Sequence, residues 1–235
     1  MRTKFAFFLL AAFALSLFSA SAQRVESISI LGDSYSTFEG CVTPEDNLIW
    51  YFKEFDKSKT DVSSADQTWW GRLTSKAEYR LECNNSYSGS TICNTGYNAK
   101  DVSESSFIAR MDNLGDPDII LIFGATNDSW AKVPIGEFVD EEWSREELFA
   151  FRPALSYMFS SLGQIYADAN IYFILNDNLR EVVASSVIDV CNTYNVECIQ
   201  LRDIDKISGH PSIKGMEQIY SQVEEFLKLS RSKVQ

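Results

Sequence analysis

Five short runs of apolar, mostly β-branched residues recur along the chain, over residues 27–31, 81–85, 118–123, 171–175 and 197–201. Their apolarity is continuous and not alternating, the pattern of strands covered on both faces in a parallel sheet. Between the runs, amphipathic stretches predict helices over residues 67–78, 105–114, 144–167, 178–194 and 212–229. The last of these opens at a plausible Ser212 cap just after Pro211. Strand and helix alternating in this way predict a three-layer α/β/α sandwich around a central parallel sheet of about five strands. Residues 36–66 break the rhythm. They carry Pro44, the aromatic group Trp50, Tyr51, Phe52 and Phe55, and mixed charge, and they read as a long loop with room for one helical turn.

The chain begins with Arg2 and Lys4, an apolar run from Phe5 to Phe18, and the small residues Ser19-Ala20-Ser21-Ala22. This is the form of a signal peptide over residues 1–22, cleaved after Ala22, and the run is too short for the ~20 apolar residues of a spanning helix. Residues 23–235 are then expected to be one exported domain, periplasmic or secreted, with no membrane span left after cleavage. Loss of Arg2 and Lys4 takes the net charge from -12 to -14, which disfavours nucleic acid and anionic membranes as partners. Five cysteines remain: Cys41, Cys83, Cys93, Cys191 and Cys198. An exported chain can form disulfides, and Cys83 with Cys93 or Cys191 with Cys198 are two candidate pairs, but an odd count leaves a thiol over. With one histidine and no paired C-x-x-C spacing, no metal or other cofactor is expected.

In open α/β sheets, ligand sites form beyond the carboxyl ends of the strands. The first run is followed by Gly32-Asp33-Ser34-Tyr35-Ser36, the second by a segment reaching Gly89, the third by Gly124-Ala125-Thr126-Asn127-Asp128, and the last by Gly209-His210-Pro211. Those strand ends offer a serine, a glycine amide, an asparagine amide and the only histidine of the chain. Acyl transfer needs these parts: an imidazole that takes the proton of a serine hydroxyl, and several donors aimed at the tetrahedral oxyanion. Each segment alone is weak evidence, since Asp, Ser and Asn also cap turns and helices. Their occurrence together and in order is what carries the reading.

The four segments I-L-G-D-S-Y-S, the Gly89 region, G-A-T-N-D and G-H-P-S resemble the four blocks of the SGNH (GDSL-like) hydrolases, and in particular exported members of the Bacteroidetes type. The resemblance covers the whole mature chain and implies a flavodoxin-like SGNH fold. It implies Ser34 as nucleophile, His210 as general base, and Gly89 and Asn127 as oxyanion donors. Two positions depart from the pattern. Ala125 stands where the family usually has glycine, and Ile207 stands where the family has the Asp that orients the histidine. A backbone carbonyl in the 207–208 turn would leave a Ser–His dyad; alternatively Asp205, or Asp203, would reach the imidazole; or the chain has lost catalysis.

Trp50, Tyr51, Trp69, Trp70 and Trp130 lie in segments flanking these residues. Core packing is the expected role of Trp69 and Trp70, whereas Trp130, three residues past Asn127, is the candidate for lining a substrate cleft. The expected function is therefore removal of an acyl group, most plausibly a short acyl ester on a carbohydrate. A lipid or thioester acyl hydrolase is the alternative within the class, and a non-catalytic glycan-binding protein on the same fold is the alternative outside it.

Overall fold

The computed structural model of the protein describes residues 24–234; the signal-peptide expectation over residues 1–22 lies outside them. The sheet consists of β1 (Glu26–Gly32), β2 (Tyr79–Ser86), β3 (Ile119–Gly124), β4 (Asn170–Leu175) and β5 (Glu197–Gln200), in the spatial order β2-β1-β3-β4-β5. Every pairing is parallel. Six α-helices are present among the described residues: α1 (Trp69–Thr74), α2 (Phe107–Arg110), α3 (Thr126–Ala131), α4 (Phe151–Ile165), α5 (Glu181–Tyr194) and α6 (Ile213–Val234). A separate two-stranded antiparallel hairpin, β6 (Lys206–Ile207) with β7 (His210–Pro211), precedes α6.

The continuous apolarity of the strands follows from cover on both faces. Ile28, Ile30, Leu121 and Phe123 pack on one face with Trp69, Leu73, Met216, Ile219 and Val223 of α1 and α6. Leu31, Ile120, Ile122 and Phe173 pack on the other with Phe107, Leu155, Met158 and Val187 of α2, α4 and α5. Fully buried side chains of this size contribute about 1.5–3 kcal/mol each in transfer free energy. The strand order reverses at β1 and β3, the switch point where a doubly wound sheet opens a crevice at its carboxyl edge. Gly32 at the end of β1 lies level with Ser86 of β2 and Phe123 of β3, so the loops after these strands emerge side by side.

Several helices are shorter than the sequence pattern predicts. The helix expected over residues 144–167 begins at Phe151, because Ser144 caps its own short turn: its amide and hydroxyl both donate to Glu147 Oε2, at 2.8 and 2.7 Å. The helix expected from residue 178 begins at Glu181, because Asn178 has φ +57°. The stretch 105–114 holds a single turn, α2. Residues 36–66 form the expected long loop, which runs into one 3-10 turn at Ala65–Gln67.

Among the described residues, no helix is long and apolar enough to cross a membrane. The five cysteines carry free thiols. Cys191 and Cys198 lie in the same core cluster between α5 and β5, while Cys83 and Cys93 face different carbonyls, those of Asn113 and Thr95.

Candidate active site

β1 ends at Gly32 because nothing larger fits there: a Cβ would lie 2.4 Å from Ser86 Oγ and 2.8 Å from Ser36. Asp33 then caps a single 3-10 turn, Ser34–Ser36, its Oδ1 accepting from the Tyr35 amide at 3.0 Å. That turn presents Ser34 at the carboxyl edge. His210 arrives from the opposite side on β7. Ser208 and Gly209, with φ +49° and +80°, form the two-residue hairpin loop and set His210 opposite Ile207. The result is a direct contact, His210 Nε2 to Ser34 Oγ at 3.0 Å.

The other imidazole nitrogen, Nδ1, faces the carbonyl of Ser208 at 3.3 Å. A carbonyl can only accept, so Nδ1 carries the hydrogen and Nε2 is left as the acceptor for the serine hydroxyl. Asp205 points elsewhere: its carboxylate takes the hydroxyl of Ser212 and lies 3.9 Å from Lys214 Nζ at the start of α6. Burial pushes the His210 imidazole down to about 4, against a partial upward pull from the Ser208 carbonyl and a further downward push from Lys206.

Asn127 joins the same network, next to the segment that carries Gly89. The Asn127 side-chain amide donates to the Ser90 carbonyl at 3.0 Å and, at a long 3.4 Å, faces Asp33 Oδ2. Its Oδ1 accepts from the Tyr97 hydroxyl at 2.8 Å, and the Ser90 carbonyl, which can only accept, fixes which end of the amide is the donor. Gly89 has φ +85°, a conformation that favours glycine, and open space where a side chain would stand. Ala125 holds φ +70° while fully buried, which accounts for glycine as the family's residue there: a methyl is tolerated in this left-handed conformation at a cost of about 1 kcal/mol.

Beneath these residues lies a buried ionic layer that the sequence pattern did not reveal. Burial raises both Asp33 and Asp128 to about 7. Asp128 accepts from the amides of Ile92 and Cys93, holding the segment after Gly89 against α3. Arg110, buried and pushed down to about 9 by desolvation, donates to the carbonyls of Gly32, Asn85 and Ser105 and to Ser90 Oγ.

Aromatic rings surround the imidazole. Trp50 stacks face to face on it at 3.6 Å and 7°, Trp130 meets it edge-on at 5.9 Å, and Tyr35 meets it edge-on at 5.4 Å. Trp130 is 43% exposed at the rim. Trp69 and Trp70 are core residues whose indole N–H groups bond Ser36 Oγ and its carbonyl, at 3.2 and 2.8 Å. Sequence reading offered a backbone carbonyl of the 207–208 turn as one partner for His210, and the carbonyl facing Nδ1 is that of Ser208. It placed Trp50 near the site without any signal for the stack, and missed Tyr97, Asp128 and Arg110.

A doubly wound parallel sheet with a serine in contact with a histidine at its switch point defines the class of α/β/α serine-type hydrolases. The chain belongs to the GDSL-like lipase/acylhydrolase family, whose model matches residues 26–227, and is an acylhydrolase of that family. It is similar to the crystal structure of a protein from Bacteroides ovatus assigned as a GDSL-like lipase, at 55% identity over 88% of this chain and 99% of that one, with TM-score 0.85. A protein from Bacteroides uniformis with the same assignment matches at 50% identity over 87% and 96%, with TM-score 0.84. An acetyl xylan esterase from the rumen bacterium Butyrivibrio proteoclasticus shares the fold at 16% identity over 89% of this chain and 64% of that one, with TM-score 0.55. No curated protein matches the chain.

Proposed function

We propose that the protein is an exported carbohydrate esterase that removes a short acyl group through a Ser34–His210 dyad. The observation that carries this reading is the 3.0 Å contact of Ser34 Oγ with a His210 nitrogen whose ring partner is already committed to a carbonyl. In the first step the Ser34 O–H bond breaks, its proton passes to His210 Nε2, and Oγ bonds the ester carbonyl carbon, whose π electrons move onto oxygen. The Ser34 and Gly89 amides and the Asn127 side-chain amide are the donors for that oxyanion. The Asn127 hydrogen held only at 3.4 Å by Asp33 is the one available to turn to it. His210 returns the proton to the leaving alcohol, and water repeats the sequence on the acyl-enzyme.

The substrate class rests on two supports: the exposed Trp130 edge suits stacking on a sugar ring, and the same fold serves an acetyl xylan esterase. Labelling by a fluorophosphonate tests the reading, because only an activated serine reacts fast. Rapid labelling lost in Ser34→Ala is expected; a protein that resists the probe yet binds glycans is the non-catalytic alternative. Among acylated sugars and p-nitrophenyl esters of rising chain length, acetyl esters should turn over fastest. A preference for long chains would point to lipid substrates instead.

If the Ser208 carbonyl orients His210, Asp203→Asn and Asp205→Asn each leave kcat/KM within about tenfold of wild type, whereas loss of a true triad Asp by this change costs about 10⁴. The acid limb of the same pH profile should fall as the pH drops through about 4, well below the usual imidazole range, because a base must be neutral to accept the serine proton. Collapse of Asp205→Asn with an unchanged circular dichroism spectrum would instead make Asp205 the third member of a triad.

A further inference from the structure

We propose that Trp50 is a positioning residue that stabilises the His210 imidazolium from its face, in place of the carboxylate that is missing from its edge. This inference rests on His210 acting as the base. A base that takes a proton in a buried site needs some group to stabilise the positive charge as it forms, and at the edge of this ring only the Ser208 carbonyl is offered, at a long 3.3 Å. The charged group nearest from β6 is Lys206, which opposes the charge and is itself paired with Asp177. From the loop after β1 and from the 36–66 loop the neighbours are the rings of Tyr35 and Tyr51, and from α3 that of Trp130. None of these rings is aligned with the imidazole: their interplanar angles are 61°, 82° and 72°.

Trp50 alone lies parallel, at 3.6 Å and 7°. Its π face is therefore in contact with the whole imidazole, and attraction of a cation to an indole face grows as water is removed. A neutral imidazole gains little from that quadrupole; the imidazolium of the transition state gains much. The stack is thus worth more at the transition state than before it, the condition for accelerating the chemical step.

The ring is held in place from two directions. The Trp50 amide donates to Thr37 Oγ1 at 2.9 Å, and Thr37 Oγ1 donates to the carbonyl of Ser34 at 3.0 Å, so the stack is tied to the turn that carries the nucleophile. The next residue, Tyr51, donates its hydroxyl to the Pro211 carbonyl at 2.8 Å, which ties the same segment to the strand that carries the base. The indole N–H is buried without a hydrogen-bond partner among the described residues, so the ring is oriented by its stack and its backbone, with no polar anchor of its own.

The test replaces Trp50 site-specifically with 5-fluoro-, 5,7-difluoro- and 5,6,7-trifluorotryptophan in the full-length mature enzyme, assayed with 4-methylumbelliferyl acetate. Fluorine drains the negative face of the indole while nearly preserving its shape. The expected result is a stepwise fall in kcat of about tenfold across the series, with KM and the melting temperature unchanged. The acid limb should move to lower pH, because a less stabilised imidazolium loses its proton more readily. Trp50→Ala should move that limb the other way by admitting water to the imidazole. A flat kcat and an unmoved limb across the fluorinated series overturn the proposal and leave Trp50 as packing; a change confined to KM overturns it in favour of substrate stacking. His210→Ala, run alongside, separates the two levels: if that variant keeps its activity, the assignment of the base fails and the role of Trp50 falls with it, whereas a dead His210→Ala beside a flat fluorinated series removes the role of Trp50 alone.

Discussion

Replacing Ser34 with alanine is expected to lower ester hydrolysis by about 10⁶-fold, with the melting temperature within a few degrees of the parent. The size follows from the chemistry: without Oγ there is no acyl-enzyme, and the histidine has no proton to take. The fold is spared because Ser34 stands on a one-turn loop at the edge of the sheet, and its side chain bonds only His210. His210→Ala should be nearly as severe, since the chain has no second histidine. The double variant should be no worse than either single one, because residues that act as a unit are grossly non-additive. Purified Ser34→Ala that still turns over an ester above a mock preparation would remove Ser34 from the mechanism.

The largest expected effect on stability belongs to Arg110. Arg110→Met should lower the free energy of unfolding in urea by about 3–5 kcal/mol, in the range for breaking a buried charged network. The guanidinium caps the carbonyl ends of two neighbouring strands, Gly32 of β1 and Asn85 of β2, and also holds Ser105 and Ser90. Methionine fills the space but leaves those buried acceptors without a donor, and Asp33 loses the positive charge that moderates its burial. Arg110→Lys should recover little, because an ammonium cannot span four acceptors from one plane. A loss below about 1 kcal/mol for Arg110→Met would mean that water replaces the guanidinium at low cost.

How much of this was legible beforehand depends on the length scale of each signal. The strands were readable because burial on both faces leaves an apolar run that no surface helix shares, and β1, β3 and β4 fall within a residue of the predicted bounds. β2 was predicted too short, since it opens as an edge strand where burial alternates, with Tyr79 in the core and Arg80 exposed. The hairpin β6–β7 has two residues in each strand, too few for any periodicity to register. Helix α3 starts from a left-handed alanine, a choice of backbone that sequence does not announce. Ser34 and His210 meet directly, and Asn127 reaches Asp33 beside Ser34 and the Ser90 carbonyl beside Gly89. A parallel sheet brings the segments after β1, β2 and β3 to one edge, while His210 comes from the separate hairpin. What orients these residues was legible only in part: the gap at Ile207 pointed to a carbonyl of the 207–208 turn as one alternative, but Tyr97, Trp50 and Arg110 act from 30, 160 and 78 positions away from Asn127, His210 and Gly32 respectively.

The segment that delivers His210 is attached to the molecule differently from the sheet that delivers Ser34. Its own ladder pairs only Lys206 with Pro211 and Ile207 with His210. Beyond that it is latched by the ion pair of Lys206 with Asp177, the Tyr35 hydroxyl on the Gly209 carbonyl at 2.5 Å, the Tyr51 hydroxyl on the Pro211 carbonyl at 2.8 Å, and the Ser208 hydroxyl on the Ser58 carbonyl at 3.1 Å. Opening these latches exposes one hairpin and leaves β1 to β5 shut, so its free energy is a local quantity set below that of the whole domain. Amide exchange over residues 206–211 should accordingly outpace exchange in β3. Inactivation is thus expected to precede unfolding in this molecule, under the control of three hydroxyl groups and one ion pair that take no part in the reaction.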